Sequence, residues 1–156
     1  MITQFFLFEN NNDEWHESIE LLKNEQYDEF LQQYDPEGTN HLGYSYLHVA
    51  IFLSNLKMLE FLIEHVNMKH IEEKSFIPLL FFAAKKYYYR NLTDKNILIV
   101  LFENVESLPT FKDSKKLYFI DYIKLRNEKF KNFLCKRFKE KCQKFLMMTR
   151  AEDFNI

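Results

Sequence analysis

The chain predicts an all-α domain built from about four helix-turn-helix repeats with divergent terminal caps, and three observations carry that expectation. Glycine and proline number only two and three in 156 residues, too few for the turns of a many-stranded protein. Long stretches rich in Leu, Lys, Glu, Phe and Gln favour helix. A plan of short helix, break and second amphipathic helix recurs along the chain, as in repeat architectures. With 47% apolar and 28% charged residues, the composition excludes a disordered chain and supplies a packed interior. The length suits a single domain over 1–156.

The first repeat, over 12–39, reads as a helix in WHESIELL, Trp15 to Leu22, and a second in QYDEFLQQY, Gln26 to Tyr34. In the second, over 40–71, NHLGYSYLHVAI leads from a turn at Asn40 into a helix. NLKMLEFLIEH then forms an amphipathic partner whose apolar side is Leu56, Leu59, Phe61, Leu62 and Ile63. The third, over 72–109, places its helices in SFIPLLFFAA, Ser75 to Ala84, and DKNILIVLFENV, Asp94 to Val105. About seven extra residues, Tyr87 to Thr93, are expected either to lengthen the first of these or to protrude as a loop. The fourth, over 110–144, has LYFIDYI, Leu117 to Ile123, and NEKFKNFLCKRF, Asn127 to Phe138. Leu47, Leu79 and Leu117 mark equivalent positions in the last three repeats. The tail 145–156, with Met147, Met148 and Phe154, either folds back over the last helix or frays.

On these residues the chain resembles an ankyrin-repeat protein. Gly43, Ser45, Leu47, His48 and Ala50 fall on the glycine, threonine, leucine, histidine and alanine positions of that family's core motif, with Tyr46 in place of its proline. Pro78, Leu79 and Ala83 match in the third repeat, where Ser75, Leu80 and Phe82 replace the glycine, histidine and first alanine; the fourth retains Leu117 alone. Val66 stands where a glycine usually ends the second helix, so either Asn67 takes that role or the turn differs.

The resemblance implies a non-enzymatic module that captures another protein on its concave face and hairpin tips. Its contact positions fall on His41, Leu42, Tyr44, Phe52 and Leu53, then on Glu73, Lys74, Phe76, Ala84 and Lys85, and in the fourth repeat on Phe111, Lys112, Ser114, Tyr122 and Ile123. Tyr44, Phe52, Phe76 and Tyr122 either form an aromatic stripe along the concave face or tuck into the core between repeats. For His48 the implied role is structural, its ring hydrogen-bonding within the hairpin layer. Short, degenerate ankyrin stacks of AT-rich composition also resemble multigene families of large cytoplasmic DNA viruses and some bacterial effectors. By that analogy the expected role is to antagonise host innate immune signalling.

Charge is divided between the ends. Residues 1–35 carry nine acidic side chains and one lysine, whereas 124–144 carry nine basic and two acidic ones. Both ends read as solvated caps of the stack. The alternatives are a basic patch of Lys129, Lys131, Lys136, Arg137, Lys139 and Lys141 for nucleic acid or another acidic surface, or self-association in which the two ends meet.

Cys135 and Cys142 lie seven apart in one expected helix, on one face yet too distant for a disulfide. The five histidines lack metal-ligand spacing. No phosphate loop, nucleophile elbow or kinase signature occurs, so no enzyme, cofactor or metal is expected. The Asn91, Leu92, Thr93 triplet fits a glycosylation sequon. The apolar run Phe5 to Phe8 is too short for a signal-peptide core, and no stretch is long enough to span a bilayer. A cytoplasmic location, or a nuclear one, is the expectation.

Overall fold

The computed structural model of the protein describes residues 13–90 and 95–154; Phe5 to Phe8 and the Asn91 to Thr93 triplet lie outside them. The described residues form ten helices and no strand, the only extended pairing being an isolated bridge between Thr39 and Ser45. They belong to two compact units, 1–79 and 80–156.

In the first unit α1 (Asp13–Lys23) pairs with α2 (Tyr27–Gln33), and α3 (Tyr46–Phe52) with α4 (Leu56–His65); α5 (Met68–Lys74) follows. Trp15, Ile19 and Leu22 recur at helical spacing and are buried, which fixes the inner face of α1. Trp15 stacks on Tyr46 with 4.3 Å between ring centroids. The buried Tyr46 hydroxyl donates to Ser18 Oγ at 2.7 Å, and Ser18 in turn donates to the Trp15 carbonyl at 2.7 Å. A chain of three polar groups is thus satisfied inside the hydrophobic pack. Helix α3 is apolar on nearly every side, and its residues Tyr46 to Ile51 are all buried.

Asn55 caps α4 by accepting from the Met58 amide at 3.1 Å. The helix ends at Val66 in extended backbone (φ −127°), so no left-handed residue is needed there. Asn67 instead caps α5, accepting from the Lys69 and His70 amides. Helix α5 was not expected; its seven residues bury only Ile71, leaving little periodicity to read.

Helix α6 (Leu79–Arg90) begins on the last residue of the first unit and belongs otherwise to the second, with α7 (Lys95–Asn104), α8 (Phe119–Arg126), α9 (Glu128–Arg137) and α10 (Lys139–Phe154). It runs through Tyr87, Tyr88 and Tyr89, so part of the segment from Tyr87 to Thr93 lengthens this helix rather than forming a loop. Helix α9 packs on both α8 and α10. Residues 145–154 complete α10 rather than fraying, with Phe145 and Thr149 buried. At the end of α7 the Lys141 ammonium donates to the Phe102 and Glu103 carbonyls at 2.5 and 3.1 Å, neutralising acceptors that the helix leaves open. No helix among the described residues is long and apolar enough to cross a membrane.

Candidate partner-binding surface

The hairpin tip of the first unit is built by Asn40. Its backbone N–H donates to the Tyr44 carbonyl at 2.9 Å and its carbonyl accepts from the Gly43 amide at 3.0 Å. The buried carboxamide Oδ1 accepts from the amides of Leu42 and Tyr44, both at 3.0 Å. Gly43 holds φ +87°, and a Cβ there would lie 3.2 Å from Phe76 Cβ, so any other residue is strained at this position. The Phe76 amide donates to the Gly43 carbonyl at 3.4 Å, which brings two predicted contact segments together.

Phe76 is 78% exposed and Leu42 36%. His41, Glu73 and Lys74 are exposed too, while Tyr44, Phe52 and Leu53 are half-buried. Lys74 and His70 flank Glu37, whose carboxylate also accepts from the Asn67 amide at 2.9 Å. That amide, opposed in part by desolvation, heads the interactions that hold Glu37 below the ordinary carboxylate value.

Behind the tip His48 locks the start of α3. Its Nδ1 accepts from the Ser45 amide at 3.1 Å and lies 2.8 Å from Ser45 Oγ. On its other side Nε2 lies 2.8 Å from the Ile77 carbonyl. A carbonyl only accepts, so the ring is the neutral Nε2–H tautomer with Nδ1 left to accept. Burial pushes its pKa down to about 4, against the opposing pull of the Ile77 bond.

A second turn in the other unit repeats the first bond for bond. The Asp113 amide donates to the Leu117 carbonyl at 2.9 Å, and its carbonyl accepts from Lys116 at 2.9 Å. Asp113 Oδ1 accepts from the Lys115 and Leu117 amides at 2.9 and 3.1 Å. Lys116 occupies Gly43's place and shares its left-handed backbone (φ +62°). Asp121 then accepts from the Tyr118 amide at 2.8 Å, as His48 does from that of Ser45.

The correspondence between the two turns lies three residues away from the match expected on Leu117. Ile120, not Leu117, stands where Leu47 does, and Tyr122 stands in place of the buried Val49 rather than Phe52. Tyr122 is accordingly 1% exposed, donates its hydroxyl to Asp113 Oδ2, and offers no ring to a partner. The residue equivalent to Phe52 is Leu125, 61% exposed. A motif sought from leucines alone misses this because the turn is specified by one side-chain acceptor, Asn40 or Asp113, and by hydrogen-bond geometry.

Lys85 pairs with Asp113 Oδ2 at 3.3 Å, and its ammonium lies 5.5 Å from the Phe81 ring centroid. Burial pushes the Asp113 carboxyl upward, but its bonds from Tyr122, Leu117, Lys115 and Lys85 together hold it below the ordinary value. Lys115 reaches Tyr89 Oη at 2.6 Å.

The basic segment divides by use. Lys129, Lys136 and Lys139 are exposed, whereas Arg137 bridges Glu103 at 2.8 Å and Lys141 is spent on the end of α7.

The two cysteines depart from expectation. Phe138 leaves helical geometry (φ −110°, ψ 51°) and separates α9 from α10, so Cys135 and Cys142 stand on different, adjoining helices. They face one cavity of about 310 Å³, where the two thiols interact with one another. An uninterrupted helix would have kept them about 10 Å apart along its axis. Among the described residues no three His, Cys, Asp or Glu side chains are grouped to hold a metal ion.

No protein-family model matches the chain, and no curated protein or solved structure does so either.

Proposed function

We propose that the protein is a non-enzymatic interaction module of ankyrin type that binds a partner protein through the tip formed by Leu42, Gly43, Tyr44 and Phe76. The observation that carries this reading is the placement of Phe76, an aromatic ring almost wholly in solvent yet held on an ordered turn. Exposing such a ring next to Leu42 is unfavourable in water, and rigid aromatic anchors on a tip lose little entropy when a partner covers them. Two turns built on the same four backbone and side-chain bonds support the repeat reading. Action against host immune signalling, for a viral or bacterial factor, is the extension of that reading by analogy.

Electrostatic binding through the basic segment is the second reading. It draws on the exposed Lys129, Lys136 and Lys139 and is weakened by the structural employment of Arg137 and Lys141. Affinity capture from cell extract distinguishes the two. The Phe76→Asp variant removes a ring that is 78% exposed, so it should fold as the wild type does and lose the captured partner. An unchanged set of captured proteins, at unchanged melting temperature, refutes the tip. Capture that survives this variant but disappears on Lys136→Glu with Lys139→Glu, and weakens with salt, supports the basic segment instead.

A further inference from the structure

From the facing thiols of α9 and α10 we infer that Cys135 and Cys142 form an oxidisable dithiol site, in which Cys135 is attacked by hydroperoxides and Cys142 resolves the product into an intrachain disulfide.

The geometry assigns the two roles. Cys135 is half-buried at the wall of the cavity, while Cys142 is 4% exposed behind it. An incoming peroxide therefore meets Cys135 first. Both thiols line the cavity, and the less buried of the two, Cys135, is the one better placed to carry the anion, since burial disfavours the thiolate of Cys142. Lys131, one turn earlier on α9 and lining the same cavity, adds positive charge. Lys124 and Asp121 of the preceding helix complete the charged lining. The hydrogen bond from Cys142 and the charge of Lys131 together bring Cys135 down to about 7 against desolvation, while Cys142 is pushed up. The Phe138 break is what permits the arrangement.

The chemistry balances with a hydroperoxide as the oxidant. The Cys135 thiolate attacks the terminal peroxide oxygen, an S–O bond forms, the O–O bond breaks, and the departing alkoxide or hydroxide takes up a proton. Sulfur is thereby oxidised by two electrons to the sulfenic acid, and the peroxide is reduced to alcohol or water. Cys142 then attacks that sulfur. The S–S bond forms, the S–O bond breaks, and the hydroxyl leaves with the Cys142 proton as water. The two sulfurs, which line the same cavity from adjoining helices, close to a covalent length of about 2 Å in this step.

The test treats the full chain with one equivalent of hydrogen peroxide and reads intact mass. Wild type should lose about 2 Da as a monomer, recover it with dithiothreitol, and give little dimedone adduct. Cys142→Ser should trap at least tenfold more dimedone, mapped to Cys135, while Cys135→Ser should trap none at Cys142. Alkylation of Cys135 in wild type by iodoacetamide should rise with a midpoint near pH 7. Disulfides formed only between chains overturn the inference, as do equal adducts in the two single variants or an alkylation midpoint near that of an ordinary thiol. The wild-type mass change decides the matter even where a serine variant folds poorly.

Discussion

His48 makes the stability of the first unit depend on pH, and the size of the effect follows from its burial. In the unfolded chain an ordinary imidazole titrates near 6.5, whereas in the fold burial holds His48 at about 4. Below 6.5 the unfolded chain therefore takes up a proton that the folded one refuses. The associated stability is present above pH 6.5 and is lost as the pH falls toward 4. Between pH 7 and pH 5 the loss comes to about 2 kcal/mol, and its limit below pH 4 is about 3.4 kcal/mol.

The perturbation that isolates this contribution is His48→Gln. Glutamine is an ordinary third-position partner in a capping box, so its side-chain oxygen can still accept from the Ser45 amide, while the bond to Ile77 and the titration are removed. The assay is urea unfolding at pH 7 and pH 5, followed by the fluorescence of the one tryptophan, Trp15, which is 4% exposed and lies in the same unit. The variant should be less stable at pH 7 by about 1–3 kcal/mol. From pH 7 to pH 5 it should lose about 2 kcal/mol less than wild type. Glu72, whose carboxyl is raised by burial against the bond from the Leu79 amide, contributes with the opposite sign in both proteins and cancels in the difference. Parallel pH dependence in the two proteins would refute the reasoning, since it would mean that His48 is not the group whose protonation the fold resists.

Gly43→Ala should destabilise the first unit by about 1–2 kcal/mol, by left-handed strain and the contact with Phe76; Trp15 fluorescence in urea checks it. Its mirror, Lys116→Gly, relieves the same conformation in the second turn and should stabilise by about 0.5–1 kcal/mol, seen as a raised melting temperature by circular dichroism. Asp113→Ala strips an acceptor from two amides and the Tyr122 hydroxyl and should cost about 2–4 kcal/mol. Asp113→Asn, which keeps the Oδ1 acceptor as Asn40 does, should cost about 1; chemical denaturation of both variants ranks them.

What could be read in advance was set by hydrophobic periodicity and by turn chemistry in one segment. The helices around Trp15, Leu59, Ile97 and Leu134 each bury a stripe repeated at helical spacing, and each lies where that stripe predicts. The segment from Asn40 to Ala50 was legible because glycine, a cap and a histidine all fall in register. Helix α5 escaped because one buried residue makes no period. The cysteine contact escaped because Phe138 carries no helix-breaking signal of its own. Its ring lies 5.5 Å from that of Phe102, so the break accompanies a tertiary packing that local propensity does not encode. Of the candidate site, the exposure of Leu42 and Phe76 is what position alone anticipated. Tyr122 was misplaced because leucine spacing fixed the register where the side-chain acceptor should have.

That misplacement indicates what this fold asks of its sequence. Asn40 and Asp113 sit in segments that share almost no other letter, yet each accepts from two amides ahead of it and sets the same left-handed residue three positions later. The backbone demands an acceptor at the first position and tolerates a positive φ at the fourth. Glycine meets the second demand without strain, and lysine meets it with strain that the remaining bonds offset. Ser45 and Tyr118 then open the following helix from the same extended geometry, with His48 and Asp121 as alternative acceptors for the cap amide. The two positions that supply a side-chain acceptor can thus change chemical class, amide to carboxylate and imidazole to carboxylate, while the hydrogen bonds persist. Turns held by acceptor geometry in this way can diverge in sequence beyond a letter motif and still keep the same four hydrogen bonds.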